Sequence, residues 1–339
     1  AVAGDLDASY TVAGDIDASE TSSWNGGAGF DPIGNSSSPF TGTFDGNGYA
    51  ITGLTIDRPS DSYAGLFVMN YGKVSDVGLE DVDVTGGDLR IGGLVGWNEE
   101  GGTVESSYAV GNVSGYDGSV VGGLVGRSDG TVESSYATVN VSGFDRDSPN
   151  ELGGLVGRNQ GVVRDSYATG EVSGYGYVGG LVGYNGLGTV ESSYATGKVS
   201  DTGNVGGLVG GNYPEGTVRD SYATGEVSAY GDGIIDNEVG GLVGYNVGTV
   251  ETSYATGDVY GNEFVGGLVG FNYETVESSY AVGDVSGSGE VGGLVGFDGY
   301  NGEGTVANSY WDTGTTGQSG SAGGTGLTTA EMKGDAALS

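Results

Sequence analysis

Gly179-Gly180-Leu181-Val182-Gly183, then Ser193-Tyr194-Ala195, then Val199-Ser200: these strings mark one unit that the chain repeats. The first begins at Gly92, Gly122, Gly153, Gly179, Gly206, Gly240, Gly266 and Gly292, at spacings of 30, 31, 26, 27, 34, 26 and 26 residues. A degenerate copy, Ala64-Gly65-Leu66-Phe67-Val68, lies 28 residues before Gly92. The second string places Tyr108, Tyr136, Tyr167, Tyr194, Tyr222, Tyr254 and Tyr280, and Ser309-Tyr310-Trp311 closes the series. The third gives Val113, Val141, Val172, Val199, Val227, Val259 and Val285.

A fixed period of this length means stacked units. Each reads as three short strands separated by Gly, Asn, Asp and Ser, residues that favour turns through positive φ or side-chain bonds to their own backbone. Helix is excluded, because glycine costs about 1 kcal/mol at each interior helical position. Three strands in a unit of 26 residues or so make one coil of an all-β parallel β-helix, a β-solenoid of about nine coils. Strand neighbours about 4.8 Å apart give a rod core roughly 40 Å long. The crossover preference makes right-handed winding the expectation. Propeller blades need about 40–50 residues, and the helical half of a leucine-rich repeat is missing. Extra residues fall mainly before Gly-Gly-Leu-Val-Gly, as in Phe144 to Glu151 and Ala229 to Glu238, so they emerge on one edge. They read as drift at a tolerant turn or as decoration of a binding face.

Equivalent residues should form ladders. The tyrosines are expected to stack ring on ring, offset pairs contributing about 0.5–1.5 kcal/mol beyond burial. The glycines imply tight bends or close backbone approach. Asn70, Asn98, Ser128, Asn159, Asn185, Asn212, Asn246, Asn272 and Asp298 form an amide series that can satisfy turn backbone from coil to coil; an Asn-lined ligand site is the alternative. Just before it stand Trp97, Tyr184, Tyr245, Phe271 and Phe297, with Met69, Arg127, Arg158 and Gly211 in the other coils. This row either stacks on itself or binds sugar rings or a partner.

Forty-five acidic residues against ten basic ones, and no His, give a net charge of −35. That opposes binding to nucleic-acid phosphate and to anionic membranes. Self-repulsion weakens a compact state at low salt. At about 1 M salt the screening length is about 3 Å and most of the penalty disappears. An acidic, lysine-poor composition resembles that of proteins from salt-loving organisms; neutralisation by divalent cations is the alternative. Without cysteine there is no disulfide or thiolate site, and no apolar run reaches the roughly 20 residues of a membrane span. A first residue other than Met fits removal of a leader.

The repeated Gly-Leu-Val-Gly core resembles the GLUG repeat of extracellular and surface proteins in bacteria and archaea. The resemblance covers roughly residues 60–311. Asp15-Ile16-Asp17-Ala18-Ser19, Trp24-Asn25-Gly26-Gly27, the Phe40–Gly48 stretch and Ser309-Tyr310-Trp311-Asp312 resemble the flanks of long surface proteins that carry it. It implies a surface protein of halophilic, archaeal type: a solenoid fibre or an adhesin, located outside the cell or on its surface.

Three parts follow: an N-terminal cap or assembly segment, residues 1–60; the solenoid, 61–311; and a Gly, Ser and Thr rich tail, 312–339, that reads as loop. Terminal coils expose sheet edges, so a terminal segment of one copy could complete the edge of the next, giving a head-to-tail homopolymer. An adhesin would instead bind glycans or partner cells through the aromatic edge. Calcium is the one plausible metal, since the chain offers only hard oxygen ligands, and Asp5, Asp7, Asp15, Asp17 and Asp45 are its candidate ligands. No catalytic role is expected. Without His or Cys most nucleophile–base pairs are impossible, and the acids Glu105, Glu133, Glu191, Glu251 and Glu277 recur in register as a structural row would.

Overall fold

The computed structural model describes residues 2–116, 118–143, 148–229, 237–299 and 302–334. One regular coil shows the design. Its strands are Gly176–Gly179, Val182–Asn185, Thr189–Glu191, Tyr194–Ala195 and Val199–Asp201. Each pairs in parallel with its counterparts one coil before and one coil after, in register. The molecule is therefore a parallel β-solenoid of about nine coils, with two nine-stranded sheets, one eleven-stranded sheet and a fourth sheet of two adjoining ladders. Those two ladders merge where Gly78–Gly86, Tyr108–Gly115 and Tyr136–Gly143 run as single strands.

Five strand segments therefore stand where the sequence suggested three. The Gly-Gly-Leu-Val-Gly string supplies two, because the chain turns at Gly-Leu. Thr-Val-Glu, just before Ser-Tyr-Ala, supplies another. The glycines of the Gly-Gly-Leu-Val-Gly strings are set by packing rather than by φ, since none of them has positive φ. A Cβ on Gly207 would lie 2.1 Å from the Gly241 carbonyl oxygen of the next coil. Positive φ occurs instead at non-glycine residues in the bend before Tyr: Ser106, Ser134, Asp165, Ser192, Asp220, Thr252, Ser278 and Asn308 lie between 47° and 51°.

Inside, Val178, Leu181, Val182, Val190, Ala195 and Val199 are fully buried. The larger of these side chains contribute about 1.5–3 kcal/mol each. Every regular coil repeats the set, so each coil buries its apolar face against the next, as a quasi-one-dimensional repeat requires.

Both ends depart from the repeat. Ser9–Thr11 and Thr43–Asp45 add two rungs to the eleven-stranded sheet. Ile16–Asp17 pairs with Ala50–Thr52. The duplicated strings Val2–Ser9 and Val12–Ser19 adopt different structures: Val2–Gly4 is a 3-10 turn, whereas Ile16–Asp17 is a strand. The described part of the tail contains ordered elements where the sequence reads as loop. Thr325–Leu327 pairs with Tyr310–Asp312. Thr329–Met332 forms a short helix closed by a Thr328/Glu331 capping box, and Ser321 and Ala322 bond the backbone of the Leu294-Val295 rung.

Candidate functional site

Ladder geometry decides what the solenoid can present. Tyr108, Tyr136, Tyr167, Tyr194, Tyr222, Tyr254 and Tyr280 form one stack, with ring centroids 4.9–5.0 Å apart and planes within 4°. In such a stack the ring faces cover one another and only edges and hydroxyls meet solvent. Burial and Glu80, which accepts the Tyr108 hydroxyl at 2.9 Å, push Tyr108 up to about 12.

The asparagines are internal. Asn98, Asn159, Asn185, Asn212, Asn246 and Asn272 are fully buried. Asn159 Nδ2 donates to Asn185 Oδ1 at 2.9 Å, and the chain continues through Asn212, Asn246 and Asn272 at 2.8 Å each, ending on Asp298 at 2.7 Å. Turn carbonyls such as Gly188 O and Gly216 O accept from the same amides. Ser128 interrupts the series, taking a bond from Asn98 at 3.2 Å. A ligand has no access to these groups.

The row Trp97, Tyr184, Tyr245, Phe271 and Phe297 is the middle one of three outward rows. Arg90 lies over Trp97 at 4.0 Å and Arg127 at 5.0 Å. Trp97 Nε1 donates to Asp129 Oδ2 at 2.8 Å. Tyr184 packs between Tyr177 and Tyr213, centroids 5.5 and 4.5 Å away, and the Tyr177 and Tyr213 hydroxyls are 2.5 Å apart. Burial pushes the Tyr213 hydroxyl far up. Tyr245 meets Phe271, and Phe271 meets Phe264, Tyr273 and Phe297. Arg158 forks onto Glu151, which raises its pKa, and lies 4.9 Å over Tyr184. This edge is thus a ridge packed on itself. Residues 144–147 and 230–236, within the insertions expected to decorate it, lie outside the described residues.

The five aspartates do not converge. Asp15 accepts from Ala50 N, Asp17 from Ser19 N and Asp45 from Asn47 N. Asp17 is held low by Ser19, through its side-chain hydroxyl first and its backbone N–H second. Asp5 faces Asp7, which raises the Asp5 pKa. Among the described residues no group of three or more potential ligands surrounds a metal position. In the repeat's acidic row, Glu105, Glu133 and Glu191 pair with Lys73, Arg164 and Arg219.

One ladder carried by the sequence had no role assigned to it. Ser107, Ser135, Ser166, Ser193, Ser221, Ser253, Ser279 and Ser309 are buried. Each of Ser107 through Ser279 donates its backbone N–H to the next serine's Oγ at 3.1–3.2 Å. Each Oγ donates to the carbonyl two residues before it. The signal was an unvaried Ser before every repeat tyrosine.

The two ends are unlike. At the N-terminal end an apolar cavity of about 250 Å³ opens between Ile16, Trp24, Phe30, Phe44, Ile51 and Leu54, with Trp24 46% and Ile16 43% exposed. At the C-terminal end the tail lies across the last coil, and buried Trp311 donates Nε1 to Gln318 O at 3.0 Å.

Parallel coils, internal polar ladders and closely packed glycines define a β-solenoid repeat protein. The comparison with family models assigns the repeat: the family described as "The GLUG motif" matches residues 87–114, 117–142, 148–173, 174–200, 201–228 and 231–260. The chain belongs to the GLUG-repeat proteins. It is 36% identical over 128 residues to Halomucin of Haloquadratum walsbyi, covering 37% of this chain and 1% of that protein. It is 40% identical over 77 residues to a protein of Evansella cellulosilytica whose name describes it as Gly-rich and of the membrane, covering 22% of this chain and 9% of that one. The chain thus matches a small part of the length of these relatives. An IgA1 protease structure is similar at a TM-score of 0.50 and 17% identity, over 75% of this chain and 20% of that one. That likeness concerns the fold alone. No described helix is long and apolar enough to cross a membrane.

Proposed function

We propose that this chain is a rod segment of an extracellular surface structure, joined head to tail to a second copy. One observation carries the reading: among the described residues the two outermost rungs of one sheet, Ile16–Asp17 and Thr325–Leu327, each pair on one side only. Stacking two copies would make them consecutive rungs of a continued ladder and would cover the apolar N-terminal cavity. A contact of this kind is heterologous and propagates without closing. The names of the relatives and the acidic composition support a place outside the cell or on its surface. Electron microscopy at about 1 M salt, where charge repulsion is screened, tests it. Filaments are expected, and Ile16→Lys should shorten them; monomers alone would remove the proposal.

A second reading, an adhesin that binds glycans, is favoured by aromatic surface left uncovered towards the two ends, where Trp24 is 46% and Tyr280 37% exposed. A glycan array separates the two. Calcium at Asp5 and Asp7 belongs to the same proposal, and a melting temperature unmoved by chelator would remove it. We read the chain as non-catalytic, and products in a polysaccharide-degradation assay would overturn that.

A further inference from the structure

The tyrosine stack has one free face. Tyr280 pairs in register with Tyr310, yet the two rings make no ring contact. Tyr280 is 37% exposed, whereas the inner rungs are half-buried. Its open side looks into a groove of about 530 Å³, walled by Val282, Asp312, Thr315, Thr329 and Lys333.

The groove is built. Asp312 is 3% exposed. Its Oδ1 accepts from Gly314 N at 2.8 Å, Thr315 N at 3.3 Å and Thr329 Oγ1 at 2.9 Å. Its Oδ2 has no partner among the described residues. The repeat puts Thr or Val at this position in the coils from Val110 to Val282, so the carboxylate enters where the groove begins. Lys333 forms no ion pair with a described residue, a state it shares with Arg90 alone among the described basic residues. In a chain with 45 acidic residues that leaves its ammonium available.

We propose that this groove binds a pyranose sugar residue bearing a carboxylate or sulfate. The aliphatic face of a pyranose fits flat against an aromatic ring, and the hydroxyls on its rim donate to a carboxylate or exchange bonds with threonine hydroxyls. An ammonium selects an oxyanion substituent. The groove suits one ring of a chain better than a whole oligosaccharide. The outward ridge offers nothing comparable, since its ring faces are turned against one another. The site rests on the adhesin reading and gives it a location and a ligand chemistry.

The experiment is a calorimetric titration of the full chain at about 1 M salt, where the net charge no longer repels an anionic ligand. The probes are an oligouronate, a sulfated oligosaccharide and a neutral glucan oligosaccharide, and the first two distinguish carboxylate from sulfate. Tyr280→Ala should weaken acidic-sugar binding at least tenfold. Tyr194→Ala, an inner rung with both faces covered, should bind as the parent does. Lys333→Gln should abolish the preference for acidic over neutral sugar. Circular dichroism checks that each variant keeps its fold. Acidic-sugar binding that survives Tyr280→Ala overturns the site and leaves the adhesin reading standing. No binding of any sugar overturns both.

Discussion

Asn212→Ala tests whether the buried amide chain holds the coils in register. Asn212 Oδ1 accepts from Asn185 Nδ2 at 2.8 Å. Its Nδ2 donates to Asn246 Oδ1 at 2.8 Å and Gly216 O at 3.2 Å. Three buried bonds vanish together, along with a part-buried one from Nδ2 to Thr249 O at 3.3 Å. Each is worth about 0.5–1.5 kcal/mol net. Asn185 Nδ2 keeps Gly188 O and Asn246 Oδ1 keeps Gly248 N, so the stranded groups retain partners and the desolvation cost stays small. The expected loss is therefore about 3 kcal/mol. The control is Asn140→Ala, whose amide bonds Asn112 at 3.3 Å on the exposed surface and should cost under about 0.5 kcal/mol. Urea denaturation at fixed salt, followed by far-ultraviolet circular dichroism, reads both from the midpoint. A fall in the slope for Asn212→Ala would mean that the rod splits at the altered rung, as a one-dimensional repeat permits. Equal midpoints for the two variants would refute the claim that buried position, rather than amide chemistry, makes the ladder stabilising.

Gly207→Ala should destabilise by about 1–3 kcal/mol or more by overpacking, because its Cβ would meet the Gly241 carbonyl oxygen and Ala223 Cβ; a midpoint unchanged in urea would mean the coils can spread. The Tyr108 hydroxyl, pushed up to about 12, has a folded pKa above its unfolded value near 10. The neutral form is the one the fold prefers, so this contribution is intact below pH 10 and lost between pH 10 and 12. Absorbance titration of phenolate should show Tyr108 ionising later than tyrosine in the urea-unfolded chain, and coincident curves would contradict it. The melting temperature should rise between about 0.1 and 1 M sodium chloride as the −35 charge is screened; a fall would point to dominant ion pairs such as Arg158 with Glu151.

Much of the fold was legible because a repeat states its contacts repeatedly. Each Val, Leu, Tyr and Asn sits at the same place in successive coils, so linear spacing translates directly into a ladder. The strand count was less legible. Gly207 sits in a turn at ordinary φ, and nothing in the string Gly-Gly-Leu-Val-Gly shows that the chain changes direction between two strands. The serine ladder was present in the letters, but a small hydroxyl beside a tyrosine carries no periodic hydrophobic signal. The five aspartates show how little linear proximity says about convergence: Asp15, Asp17 and Asp45 are each taken by a backbone N–H.

The sequence by itself determined the stacking, because the period, the glycines and the recurrent core residues admit no other way to bury each coil. It also determined the net charge of −35 that the rod carries. Only the tertiary structure decided which aromatic faces are free. Ring faces in a ladder are consumed by their neighbours at a 4.9 Å spacing, so a row of tyrosines in the sequence says nothing about access. Tyr280 differs from Tyr194 because the ring of Tyr310, its partner in the next rung, does not stack on it, and the tail rung beyond places Thr325 opposite Tyr310. That outcome depends on contacts between the chain's last coil and its tail, which no repeat encodes.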